Sequence, residues 1–224
     1  MLRKPVEGAL FDMDGLLLDT EAVYIEALQA AARSLGREMP LSLCHSTVGV
    51  PGSERTAMIE QHYGEGFSMA DFRTHFSVHV RGLLDAGVPL KPGALELLDF
   101  LAGRGLPLAV ATSARRVTAE TNLAKAGLLG RFKALATRDD VERTKPAPDL
   151  YLEAARRLGV APRQCVAVED SSIGILAAHA AGMRALMVVD ILPPTDEARA
   201  RCLHVAADLH EVLELIRPSF GKPL

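Results

Sequence analysis

Apolar positions along the chain follow two rhythms. Short continuous runs rich in Val, Leu and Ala recur at Val6–Asp12, Pro107–Ser113, Ala134–Thr137, Cys165–Glu169 and Arg184–Val189. Such runs, bounded by Gly and Pro, predict buried β-strands. Between them, Ala94–Gly103, Val117–Ala126, Pro148–Leu158 and Ile173–Ala181 place apolar residues at helical spacing. Gly105, Gly127, Gly159 and Gly182 stand where these helices should stop, in the left-handed cap position. Strands alternating with helices predict an α/β fold: a Rossmann-like open parallel sheet with helices on both faces.

One segment breaks the alternation. Glu21–Leu35, Ser53–His62 and Asp71–Leu84 all read as helices, with no convincing strand among them. Residues 16–88 are therefore expected to be an inserted α-helical domain, with 1–15 and 89–224 forming the sheet domain. The joints Gly15–Leu18 and Ala86–Pro92 contain Gly or Pro and suit hinges, and the tail Pro218–Leu224 is expected to fray.

Composition narrows the partners. Of 224 residues, 49% are hydrophobic, enough for one sizeable core and a small second domain. The net charge of −3 and the lack of a basic run argue against a nucleic-acid surface, and 4% aromatics with no Trp argue against base stacking. Neither a signal-peptide pattern nor an apolar run long enough to span a bilayer is present, so no membrane is expected. Cys44, Cys165 and Cys202 are odd in number and widely spaced, which suits reduced thiols in a cytoplasmic protein, with Cys165 a core filler.

The chemistry gathers at predicted strand ends. Asp12 and Asp14 close the first strand, and Gly15 lets the chain turn at once. In isolation, "DMDG" also suits an ordinary turn in which Asp bonds its own backbone. Thr112 and Ser113 end the second strand, Glu169 and Asp170 the fourth, and Lys145 precedes a helix start. Nothing comparable marks the strand beginnings, and the carboxyl edge of an open α/β sheet is where ligands bind. Crowded carboxylates without histidine select a hard cation such as Mg²⁺. A lysine and a hydroxyl opposite them suit a phosphoryl group.

These residues carry a resemblance. "FDMDGLLLDTE" resembles the first motif of the haloacid-dehalogenase superfamily, the aspartate-nucleophile phosphotransferases. Thr112 matches the second motif, Lys145-Pro146 the third, Glu169-Asp170 the fourth, and Gly174–Ala178 the small-residue helix that follows. The helical insertion is similar to the family's small cap, in the subgroup of β-phosphoglucomutase and small phosphosugar or nucleotide phosphatases. The resemblance implies Asp12 as nucleophile and Asp14 as general acid and base. It implies Mg²⁺ on Asp12, the Asp14 carbonyl, Asp170 and Glu169, the last directly or through water. Thr112, Ser113, Lys145 and Gly15 would form the phosphate cradle, and Arg115 is the sharper candidate for a substrate contact.

A small phosphorylated substrate, hydrolysed rather than isomerised, is the expectation. In a mutase an arginine is expected in the stretch Val48–Glu54, which here reads Pro51-Gly52-Ser53, with Arg55 the nearest. A phosphosugar mutase is the alternative, and a non-catalytic phospho-ligand module a further one. A monomer or weak homodimer is expected. Thr20 and Glu21 read as caps of the first inserted helix, Asp19 as a hinge or site-edge residue, and His75/His79 as cap-helix residues without a third ligand.

Overall fold

The computed structural model describes residues 6–48, 50 and 52–220. Strand β1 (Gly8–Phe11) leads into helices α1 (Thr20–Ser34), α2 (Leu41–Ser46), α3 (Gly52–Tyr63) and α4 (Met69–Ala86). Alternation follows: α5 (Ala94–Gly103), β2 (Leu108–Ala111), α6 (Arg116–Lys125), β3 (Ala134–Ala136), α7 (Asp149–Leu158), β4 (Cys165–Glu169) and α8 (Ser172–Ala180). The chain ends through β5 (Arg184–Val188), α9 (Asp196–Arg201), β6 (His204–Ala206) and α10 (Leu209–Ile216).

Among the described residues the strands form one six-stranded sheet in the order β3-β2-β1-β4-β5-β6. Every pairing is parallel, with Phe11 of β1 opposite Val110 of β2 and Val168 of β4. The fold is thus the expected α/β sheet with a helical insertion. The order reverses between β1 and β4. That switch point opens a crevice beyond the strand carboxyl ends.

Helix α7 shows how the sequence covers the sheet. Leu150, Tyr151, Ala154, Ala155 and Leu158 fall on one face and are buried among Leu10, Ala109 and Ala167. Gly159 ends the helix at φ 75°, and Gly105, Gly127 and Gly182 also adopt positive φ, as their positions predict.

The chain divides into two compact units, the sheet unit up to Asp19 and from Pro89 onward, and the insertion Thr20–Val88. Residues 16–19, expected in the insertion, belong to the sheet unit. Leu16, Leu17 and Leu18 are fully buried there, and Asp19 N–H donates to Pro89 O at 2.8 Å. The insertion has its own core of Leu28, Ala31, Ala32, Met39, Cys44, Ile59 and Phe72. Tyr63 and Phe67 stack beside it with ring centroids 4.2 Å apart.

Several elements exceed the sequence reading. β6 buries only Ala206, α9 only Ala198 and α2 only Cys44, so none leaves an apolar period to read. α10 does show one, in Leu209, Val212, Leu213 and Ile216, and is capped by Asp208, which accepts from Glu211 N–H. Thr20 is the first residue of α1 rather than its cap, and its hydroxyl is buried without a hydrogen-bond partner. Of the tail expected to fray, Arg217–Phe220 forms a 3-10 turn, and residues 221–224 lie outside the described residues. Gly49 and Pro51, within the stretch weighed for a mutase arginine, also lie outside them.

Candidate active site

Strands β1 and β2 stop one residue before their site residues, and β4 ends on one, Glu169. Asp12 follows β1, and its N–H still donates to Val168 O at 3.1 Å. That bond extends the sheet ladder by one residue and holds the carboxylate at the carboxyl edge. Thr112 repeats the device on β2: its N–H donates to Ala136 O at 3.0 Å, and its buried hydroxyl accepts from Ala114 N–H at 3.0 Å.

Lys145 enters from the loop between β3 and α7. Its Nζ donates to Asp12 Oδ1 at 2.6 Å and to Glu169 Oε1 at 2.5 Å, with only 4% of the side chain exposed. Burial disfavours an ammonium, but the Asp12 and Glu169 carboxylates outweigh it and hold Lys145 above its ordinary range.

Glu169 is the hub. Tyr151 OH donates to Oε1 at 2.7 Å, while Oε2 accepts from Ser171 Oγ at 3.0 Å and from the N–H groups of Asp170 and Ser171 at 3.2 Å. A side chain at position 174 would destroy this arrangement, because a Cβ there would lie 1.9 Å from the Glu169 carboxylate. Glu169 was expected as a metal ligand, directly or through water. Both of its oxygens also anchor Lys145 and the turn into α8, and Glu169 lies within the acidic group that could hold a metal ion.

Asp12, Glu169 and Asp170 form an acidic cluster whose carboxylate oxygens all lie within 4.8 Å of one another. Burial pushes Asp12 up to about 7 against the pull of Lys145, with Glu169 and Asp14 adding to the push. Asp170 is raised well above the carboxylate range by burial, then by Glu169 and Asp12. Asp170 Oδ1 is buried without a hydrogen-bond partner. One ammonium faces three carboxylates, and an orphaned oxygen faces the deficit. A divalent cation would offset both, so these residues fit an Mg²⁺ site.

Gly15 makes room for that cluster. It turns the chain at φ 79°, and a Cβ there would stand 2.5 Å from Asp170 Oδ2. Asp14 is half-buried beside it, whereas Ser113 and Arg115 are exposed at the start of α6. Asp12, Lys145, Glu169 and Asp170 are thus brought together, with Gly15 against them and Thr112 on the neighbouring strand end.

Tyr151, Ser171, Lys91 and Asp190 were not legible as part of this region. Tyr151 occupies an apolar position of α7, and only its hydroxyl hinted at a polar contact. Cys165 is the buried core filler expected, its thiol pushed up to about 11 by burial. His79 Nε2 pairs with Ser34 Oγ at 3.0 Å, and no metal-binding group involves either His75 or His79 among the described residues. No helix among the described residues is long and apolar enough to cross a membrane.

A doubly wound sheet with a buried acidic cluster and a lysine at its switch point is the arrangement of an α/β enzyme. The chain belongs to the haloacid dehalogenase-like hydrolases, matching that family over residues 9–188. It is 36% identical over 182 residues to the fructose-1-phosphate phosphatase of Escherichia coli strain K12, covering 81% of this chain and 95% of that protein. It is 34% identical over 229 residues to a Drosophila melanogaster protein named "Probable pseudouridine-5'-phosphatase", covering 100% and 96%. The crystal structure of a HAD family hydrolase from Deinococcus radiodurans R1, with bound phosphate and sodium, superposes with a TM-score of 0.85 at 26% identity. That match covers 98% of this chain and 99% of the other.

Proposed function

We propose that the protein is an Mg²⁺-dependent phosphatase of a small phosphomonoester, working through an aspartyl phosphate on Asp12. The observation that carries this reading is the buried meeting of Asp12, Lys145 and Asp170, with one Asp170 oxygen left unpartnered. Asp12, Asp170 and the Asp14 carbonyl, with Glu169 directly or through water, would hold the cation, which when bound supplies charge neutralisation at the transferring phosphoryl group.

The chain's own residues supply the rest. An Asp12 carboxylate oxygen attacks phosphorus as the bond to the leaving oxygen breaks. Asp14 gives that oxygen its proton, so the alcohol departs neutral. Asp14, now a carboxylate, takes a proton from the water that attacks the phosphorylated Asp12, releasing inorganic phosphate. Lys145, Thr112 and the Ser113 N–H hold phosphate oxygens, and Arg115 reaches the substrate from the start of α6. Glu169 keeps the lysine charged and aimed.

The substrate class is a sugar phosphate, sugar-acid phosphate or nucleoside-type monophosphate. Relatives named for fructose-1-phosphate and pseudouridine-5'-phosphate fall within it. The test is phosphate release from a panel of such monoesters with Mg²⁺ and with chelator. Release should fall by about 100-fold or more on chelation. Undiminished release would sink the cation assignment. Faster isomerisation of a bisphosphate-primed hexose 1-phosphate than its hydrolysis would favour the mutase.

A further inference from the structure

Beyond β5 lies a carboxylate that the reaction above does not use. Asp190 Oδ1 accepts from Lys91 Nζ at 2.7 Å, and the two side chains are only 11% and 18% exposed. Asp19 Oδ1 lies 3.6 Å from the same ammonium. Lys91 is fixed by its backbone too, its N–H donating to Leu17 O at 3.0 Å. One ammonium therefore ties the β5 loop to both strands of chain that lead to and from the insertion.

The other Asp190 oxygen borders Gly15, the glycine that also borders Asp170. A Cβ on Gly15 would stand 3.1 Å from Asp190 Oδ2 and 2.5 Å from Asp170 Oδ2. Both carboxylates thus border the same glycine, and Asp170 is the acid with the orphaned buried oxygen. Burial opposes the Lys91 charge, but Asp190 and Asp19 more than restore it, so the ammonium is a fixed feature of this corner.

We propose that Asp190 and Lys91 are positioning residues that set the cation affinity of the Asp12–Asp170 site through opposed charges. Asp190 adds negative potential beside Asp170, and Lys91 cancels it in part. This rests on the reading of Asp12 and Asp170 as the cation site. The consequence is a difference in sign. Lys91→Met unmasks Asp190 and tightens cation binding. Asp190→Asn unmasks Lys91 and weakens it. The double variant, with both charges gone, returns close to wild type. A mere structural brace would weaken binding in both single variants.

The experiment is calorimetric titration of Mn²⁺ into the metal-free full chain without substrate, with thermal unfolding to check that each variant is folded. The expected shifts are roughly tenfold in Kd, in opposite directions for the two single variants. Asp190→Glu, which keeps the charge, should stay near wild type. Shifts of the same sign, or none, overturn the inference while leaving the cation site intact. Wild-type protein that binds no Mn²⁺, or Asp170→Asn that binds it undiminished, would instead overturn the site reading and this inference with it. Lys91→Gln and Asp190→Ser serve as the second pair if either first choice does not fold, with the same opposed signs required.

Discussion

In the insertion, the core of Leu28, Ala31, Ala32, Met39, Cys44, Ile59 and Phe72 is uncharged, and the polar residues buried there among the described ones are two neutral threonines, Thr20 and Thr47. In the sheet unit, an equally apolar core surrounds Asp12, Lys145 and Glu169, which are buried ions. The first kind of core asks only that volume be filled. The second must cancel charge as well, since each unpaired buried ion costs several kcal/mol. The difference teaches where the chain spends stability on chemistry. The carboxylates of β1 and β4 are held by Lys145, Tyr151, Ser171 and two backbone N–H groups, none of which a core needs for packing alone.

The sharpest test of that contrast is the one that removes reactivity and keeps the core. Asp12→Asn should lower phosphate release by about 10⁴-fold or more. Stability should hold, because Lys145 keeps Glu169 as its partner and a carboxylate disfavoured by burial has gone. Urea unfolding beside a phosphate-release assay checks both halves. Activity within tenfold of wild type would remove Asp12 from the nucleophile's role.

Next in size is the charge balance itself. Lys145→Met leaves Glu169 and Asp12 facing each other with no cation between them. A loss of about 3–5 kcal/mol is expected, as for any buried pair stripped of one partner. Lys145→Met combined with Glu169→Gln should recover part of that loss. If the double variant is no more stable than the single one, the cost lies in lost packing rather than unpaired charge. Phe72→Ala, in the insertion, should cost about 3 kcal/mol by leaving a cavity among half-buried neighbours such as Phe67 and Phe76. Its Mn²⁺ affinity should stay at the wild-type value. A shifted affinity would mean that the two cores are not independent.

The sequence displayed what repeats and hid what is local. Strand β4 was legible to the residue because all five of its side chains are buried and the run is uninterrupted. Asp12, Thr112, Glu169 and Asp170 were legible because polar residues stood out where apolar runs ended, and Lys145 because it precedes a helix start. β6 and α9 were not, since each buries a single residue and no periodicity survives. The further partners of Glu169 were hidden for a related reason: its five hydrogen bonds come from Tyr151, Lys145, Ser171 and two backbone amides, distant or featureless in sequence. Asp190 and Lys91, 99 positions apart, meet only through the fold.

The smallest expected effect concerns a charge cluster of the sheet unit that lies outside the acidic centre. Asp140 accepts from Arg116 at 2.6 Å, from Arg157 at 2.8 Å, and from the Thr137 N–H and hydroxyl at 2.7 Å. Burial works against its charge, but these hydrogen bonds outweigh it and hold the carboxyl well below the usual carboxylate range. A depressed folded-state value means that the contribution is complete above the unfolded value, about 3.9 for Asp, and is lost as pH falls through the folded one. Asp140→Asn should therefore be less stable than wild type at neutral pH. The deficit should be about 1 kcal/mol, because Arg116 and Arg157 remain 35% and 28% exposed and solvent screens them. That deficit should shrink as pH is lowered from about 4 toward 2, where Asp140 of the unfolded chain takes up a proton that the folded carboxylate still refuses. Denaturant unfolding of both proteins across this range reads the difference directly. A gap that stays constant would assign the contribution to hydrogen-bond geometry, which the amide partly keeps, and not to the ion pairs.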